Sequence, residues 1–452
     1  MKKFVAMTIA ALIMTAAMAQ AQDTMWTRTY SSGMFDQGKA VATSGTDIIV
    51  AGTNLGESQN ILVIKYNAEG ETAWTRVLDI QPMEKTVDVA IGTDNKPVVG
   101  VSVEAEPPTS LLVKLLESGD TAWTRQRDRT TLSNIAIGTG NAIYTWSSVM
   151  DPAPFDSFVL AKYNPDGTPA WEKVYQFGLF NRSAGCCCDG AGNIIAAAMV
   201  ADQGGMHPTI IKFKPDGDTI WMRFYNELGG AEMTGIAVDQ NKNIFAAAVD
   251  GPNLKIIKCD STGEKLWDHT VETQPDPEAY NILATDGAGN LVIPVVNMEM
   301  HCGLLKLGPD GSELWNGSTE IMGLLFGAAV DSDDRPIATG MDQEQSSCLT
   351  IKFTGRAGIS RQGWLQEKAK PFELTGTNIL GPGATLELET MIPGDYEMTL
   401  FNRAGARIRT VFKGQLQPGN YSFNPGLLAA GEYFLNIRGP IGKSQDKLIR
   451  IY

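Results

Sequence analysis

Tryptophan recurs at positions 26, 74, 123, 171, 221, 267 and 315, at intervals of 48, 49, 48, 50, 46 and 48 residues. A period in the high forties marks a chain built from one repeated supersecondary unit, which buries its apolar face only against its neighbours. Six of the tryptophans end segments of constant form, such as ILVIKYNAEGETAW (61–74), FVLAKYNPDGTPAW (158–171) and LKIIKCDSTGEKLW (254–267). Each is an apolar run, a turn rich in Asn, Asp, Pro and Gly, and a second short run, which is the pattern of a β-hairpin. Two Gly/Ala-rich apolar stretches complete each period, for example VDVAIG (87–92) and PVVGVSV (97–103). Four strands in about 48 residues, without helical periodicity, fit the blade of an all-β propeller.

The apolar strand of each hairpin carries one lysine: Lys65, Lys114, Lys162, Lys212, Lys258, Lys306 and Lys352. That predicts a seven-bladed β-propeller. In six blades a tryptophan follows nine residues later, so Lys65 is predicted opposite Trp74, and likewise onward to Lys306 and Trp315. The stem is predicted to lie along the indole as a cross-strand cation–π pair. Trp26 has no such lysine before it, and Lys352 has Arg361 nine residues on. These orphan halves predict that Met25–Tyr30 pairs with Leu349–Phe353 and closes the ring, which removes the edges an open array would expose.

MKKFVAMTIAALIMTAAMAQAQ reads as a signal peptide over 1–21, with a basic start, an apolar run and small residues at Ala17, Ala19 and Ala21. The propeller is assigned to 22–354, GRAGISRQGWLQEKAK falls in a linker over 355–371, and 372–452 forms a second domain. There, alternating strands such as YEMTLFN (396–402) and EYFLNIR (432–438) are separated by PGD, RAG and QPGN turns, the pattern of a small β-sandwich. The charge changes at the same place: 22–366 holds 25 basic and 43 acidic side chains, a charge of −18, whereas 367–452 carries +2. So acidic a chain without a basic tract argues against nucleic acid as a partner. After the leader no apolar run approaches 18 residues, so no helical transmembrane segment is predicted.

Four segments of the tail, YEMTLFNRAGARIRTV (396–411), LQPGNYSF (416–423), LLAAGEYFLNIRG (427–439) and KLIRIY (447–452), resemble the type A C-terminal sorting domain of the type IX secretion system. The resemblance implies an immunoglobulin-like β-sandwich, contact with the secretion machinery, and a secreted or cell-surface location in a Gram-negative bacterium. The ring is similar to bacterial secreted propeller repeats of the SBBP and delta-sixty kinds. CDSTGEKLW (259–267) resembles the tryptophan-docking repeat of PQQ-binding and outer-membrane-assembly propellers, and NPDGTPAW (164–171) resembles the Asp box of sialidases, which turn chemistry accounts for.

Side chains able to do chemistry are few. Cys186, Cys187 and Cys188 are adjacent at a strand start. A vicinal disulfide, as the resemblance to PQQ dehydrogenases implies, is one reading; small buried residues in a slot where other blades place Ala or Ile is the preferred one. Cys302 and Cys348 occupy matching places in neighbouring blades, too far apart for a bridge, and Cys259 follows Lys258. His207, His269 and His301 are isolated, and zinc requires three or four convergent ligands. His269 stands two after its tryptophan, where Arg28, Arg76, Arg125, Lys173 and Arg223 stand elsewhere, and reads as a hairpin surface position. Asp94, Asp189, Asp239, Asp286 and Asp331 recur in a turn counted as joining the second and third strands. Turn capping is preferred there over calcium, for which Asp331, Asp333 and Asp334 are the densest group. No catalytic residue and no cofactor is predicted. The expected function is a binding or scaffolding module for a glycan, peptide or protein, and the alternative is a propeller enzyme, a polysaccharide hydrolase or lyase or a PQQ-type oxidoreductase.

Overall fold

The structure is a computed structural model that describes residues 24–56, 58–150, 156–273, 282–297, 299–354, 372–375, 379–380, 385–390, 393–403, 406–439 and 442–450. The expected leader over 1–21 and the expected linker over 355–371 lie outside these residues. The chain divides into two compact units, on either side of residue 361.

The sheets described in the first unit are all antiparallel, with short 3-10 turns at Thr139–Asn141 and Asn226–Leu228. Five sheets have four strands each, taken in chain order from inside to outside; the first consists of Phe35–Ser44, Asp47–Leu55, Gln59–Tyr66 and Thr72–Leu78. The second and third strands of each sheet are buried on both faces, so Asp47–Leu55 and Pro97–Val103 are almost continuously apolar. The outermost strands alternate, as the exposed and half-buried residues of Thr121–Asp128 do. A β-bulge interrupts five of the innermost strands and the Glu313–Val330 strand at a matching place, between Gly38 and Ala40 in the first and Thr86 and Asp88 in the second. The inserted residue bends the strand and sharpens its twist.

A sixth sheet has seven strands, because the 18-residue strand Glu313–Val330 serves two neighbours. Its first part pairs with His301–Leu307 and its second part with Pro336–Asp342. The last strand of this sheet is Thr24–Tyr30, which pairs with Ser347–Phe353 in the register Trp26↔Lys352. The two ends of the repeat array therefore share one sheet.

The strand order defines two ends of the ring. Links between the first and second strands and between the third and fourth lie at one end, called lower here. Those between the second and third, and from each sheet to the next, lie at the upper end.

The second unit has a three-stranded sheet (Phe372–Thr375, Leu386–Thr390, Gly419–Phe423) and a five-stranded sheet. The order in the latter is Ile379–Leu380, Gly442–Arg450, Gly431–Gly439, Gly394–Asn402 and Arg407–Leu416. Leu386 and Leu388 from one sheet meet Met398, Leu400, Leu435 and Ile437 from the other in a single core.

Candidate functional site

The lower end is a lattice built from the repeated residues. Lys65, Lys114, Lys162, Lys212, Lys258 and Lys306 are register partners of Trp74, Trp123, Trp171, Trp221, Trp267 and Trp315. The lysine stems were expected along the indoles, but most of the ammonium groups turn elsewhere. Lys65, Lys114, Lys212, Lys306 and Lys352 reach Asp47, Asp94, Asp189, Asp286 and Asp331 at 2.6 to 3.1 Å, and Lys258 approaches Asp239 at 3.9 Å. A carboxylate offers a buried ammonium a full opposite charge, where an aromatic face offers only a quadrupole. Lys162 has no such aspartate and lies 5.3 Å over Tyr144. These aspartates sit between the first and second strands, not the second and third as counted from the sequence. Asp94, Asp189, Asp239, Asp286 and Asp331 work as turn caps: Asp286 accepts the amides of Ala288 and Asn290 and the Asn290 side chain, and Asp189 does the same for Ala191 and Asn193.

The tryptophans instead dock onto the next sheet. Trp26, Trp74, Trp123 and Trp267 donate Nε1–H to the carbonyls of Ala68, Glu117, Pro165 and Pro309 in the following hairpin turn. The glycine of that turn lies against the indole with positive φ: a Cβ on Gly70 would stand 2.6 Å from Trp26. The cation over four of the indoles is the residue two further on: Arg28, Arg76, Arg125 and Lys173 lie 5.3 to 5.9 Å from the ring centroids of Trp26, Trp74, Trp123 and Trp171. Arg28 and Arg125 also donate to the carbonyls of Gly70 and Gly167.

All six cysteines carry free thiols. Cys186, Cys187 and Cys188 pair with Ala196, Ile195 and Ile194. Burial raises all three, that of Cys188 to about 12. Asp331, Asp333 and Asp334 do not converge: Asp331 faces Lys352, Asp333 faces Arg335, and Asp334 accepts the Gly287 amide. His207 is held between Asp202 and Asn226 at 2.9 and 2.8 Å, and the hydrogen bond to Asp202 raises its pKa. His301 stands 3.6 Å from Glu299, and His269 is opposite Ile256 on an outermost strand.

The upper end has a different character. Among the described ring residues, eight exposed large apolar side chains lie there: Met34, Phe35, Met83, Leu179, Phe180, Met206, Phe224 and Met322. Six more flank the outermost strands, and one, Leu116, is on a lower turn. Phe180 and Met206 are both opposite Ala201, so they share one side of one sheet. Beneath the exposed Met83, the carboxyl of Glu84 is fully buried and caps the amides of Ile80 and Gln81; burial pushes its pKa up to about 7.

No family model matches the chain, and no curated protein does. Among solved structures, virginiamycin B lyase from Staphylococcus aureus is similar at TM-score 0.50 and 10% identity, over 73% of this chain and 99% of that one. The Pan2 WD40 domain of Neurospora crassa aligns at 0.49 and 11% identity, over 75% and 97%. A protein of unknown function from Bacteroides caccae aligns at 0.43 and 10%, over 61% and 95%. Identity this low speaks for fold alone. With the repeated four-stranded sheets, the first of these likenesses defines the first unit as a β-propeller.

Proposed function

We propose that the chain is an exported binding or scaffolding module that presents the upper end of a seven-bladed propeller to a glycan, peptide or protein. Counting the seven-stranded sheet as two blades that share Glu313–Val330 gives seven. The observation that carries the reading is the asymmetry between the ends. Lower turns are committed to docking tryptophan, arginine and lysine, whereas the upper loops leave methionine and phenylalanine exposed. Phe180 and Met206 share one side of a sheet there; neighbouring exposed apolar side chains mark interaction surfaces, and methionine suits ones that repack around different partners. In the same reading, 1–21 is a cleaved leader and 372–452 an immunoglobulin-like sorting domain that hands the protein to the secretion machinery and brings it to the cell surface or medium.

The test compares Phe180→Ser/Met206→Ser with Leu116→Ser on glycan and peptide arrays. Loss of binding in the upper-end variant alone supports the reading, and equal binding by both overturns it. Release of a shortened glycan would replace the binder with a hydrolase or lyase. Turnover only after addition of PQQ and calcium would point to an oxidoreductase. For export, removing 372–452 should hold the protein inside the outer membrane.

A further inference from the structure

The second unit holds a cleft of about 190 Å³ on the open face of its five-stranded sheet, lined by Glu397, Thr399, Phe401, Arg407, Asn436 and Arg438. Strand alternation creates it. Met398 and Leu400 turn into the core from one strand and Leu435 and Ile437 from its neighbour, which leaves the residues between them on the other face. Register then sets Thr399 against Asn436, Glu397 against Arg438, and Phe401 against Arg407.

Three independent features of this cleft point to one kind of ligand. Two guanidinium groups border it, and the acidic member of the lining, Glu397, also lies 3.7 Å from Lys413, so the surroundings keep positive charge. Arg407 also donates to Thr410 Oγ1, and the fork of a guanidinium is a preferred partner of a carboxylate or phosphate. The Asn436 amide oxygen is buried and receives no hydrogen bond from the described residues. A buried acceptor in that condition is costly until a donor reaches it. Phe401, half-buried, supplies a flat apolar wall.

We propose that this cleft binds an acidic sugar. The carboxylate faces Arg407 and Arg438, a ring hydroxyl donates to Asn436 Oδ1, and the C–H face of the ring covers Phe401. A simple anion would use the guanidinium groups and leave Asn436 and Phe401 unserved. A neutral sugar would leave two charges unmatched. The small volume suits a single ring or the end of a chain. Every lining residue belongs to the second unit, so the proposal does not rest on the reading of the propeller's upper end.

The test is a saturation-transfer NMR titration of the full chain with galacturonic acid, galactose and inorganic phosphate. Galacturonic acid should bind, with galactose at least about tenfold weaker, as loss of one charge-assisted hydrogen bond implies. Arg407→Gln/Arg438→Gln and Asn436→Asp should each remove the galacturonic acid signal, and Phe180→Ser/Met206→Ser should keep it. Galactose binding as tightly, phosphate displacing the sugar at equal concentration, or a signal unchanged in Arg407→Gln/Arg438→Gln would each overturn the proposal. A signal lost only in the Phe180→Ser/Met206→Ser variant would move the sugar to the propeller.

Discussion

Trp26 and Lys352 stand opposite each other in one antiparallel pair and donate to the same oxygen, the Ala68 carbonyl, at 3.0 and 3.3 Å. One comes from the first strand of the ring and the other from the last, and the carbonyl belongs to the first blade's hairpin. Trp123 and Lys114 share Pro165 in the same way, and Trp267 and Lys258 share Pro309. The ring is therefore closed by the same contact that joins its interior blades, made from two distant pieces of chain.

Trp26→Ala should cost about 3–5 kcal/mol, the range for a large aromatic removed from a packed site. Trp26→Phe keeps most of the apolar contact and should lose about 1 kcal/mol with the hydrogen bond. Urea denaturation measures both. Hydrogen exchange adds a distinction: in Trp26→Ala the amides of Thr24–Tyr30 should exchange well before those of interior strands, since no covalent hairpin ties this strand to its partner.

Gly119 has φ +84 and lies against Trp74, where a Cβ would stand 2.8 Å from the ring. Gly119→Ala should therefore lose more than the roughly 1–2 kcal/mol that left-handed backbone costs an L residue, because the indole must also move. Gly33, at φ +88 with nothing within 4 Å of its Cβ position, is the control, because it carries the same backbone cost without an indole. A Gly119→Ala melting temperature equal to that of Gly33→Ala would show that the docking contact contributes nothing.

Lys352 and Asp331 form an ion pair at 2.7 Å with both side chains fully buried. Removing one charge leaves the other stranded, so Lys352→Met should cost about 3–5 kcal/mol. Asp331→Asn retains an acceptor for the Asp333 and Arg335 amides that the carboxylate now caps. The double variant should thus be more stable than the sum of the singles predicts, by at least about 1 kcal/mol in a double-mutant cycle.

The hairpins, their repeat and the closing strand pair could be read from one chain because lysine and tryptophan keep a nine-residue spacing, and a hairpin turns spacing into contact. The partners of those two residues were harder to see. Asp286 lies across the sheet from Lys306, with a whole strand between them, and Gly70 is in the blade after Trp26. Both signals were present, since an aspartate turn precedes most of the lysines and an Asn/Asp-Gly turn follows most of the tryptophans. The exception is instructive: the third blade has Thr139, Gly140 and Asn141 where others carry aspartate, and there Lys162 rests on Tyr144. The upper loops do not repeat, so the period is silent about Met83 or Phe180. The cleft at Arg407 and Arg438 needs the strand order of the second sheet, which alternation alone does not supply.

Glu84 gives stability a pH dependence of definite sign. Its pKa rises from the ordinary 4.5 to about 7 because burial disfavours the charged form. Between those values the folded chain holds a proton that the unfolded chain has lost, so stability falls as pH rises through the interval and the penalty is complete above about 7. Glu84→Gln cannot ionise. It should melt higher than the parent at pH 8, with the advantage shrinking steadily toward pH 5. A constant difference across that range would mean that Glu84 does not titrate there.

The cysteines separate two redox states by a count. With six free thiols, the unfolded protein should react with six equivalents of a disulfide reagent, whereas a vicinal disulfide within Cys186–Cys188 would leave four. The native protein should react slowly at all six, since the attacking species is the thiolate and burial keeps these groups protonated: Cys259 rises to about 11 and Cys302 and Cys348 to about 12. Modification should therefore follow unfolding and speed up with urea in step with the loss of structure. Rapid labelling of one or two thiols in the native ring would instead mark Cys187 or Cys188, the two that are not fully buried by surface area, as reachable from solvent. It would show that the third and fourth blades part at their lower end often enough to admit a reagent.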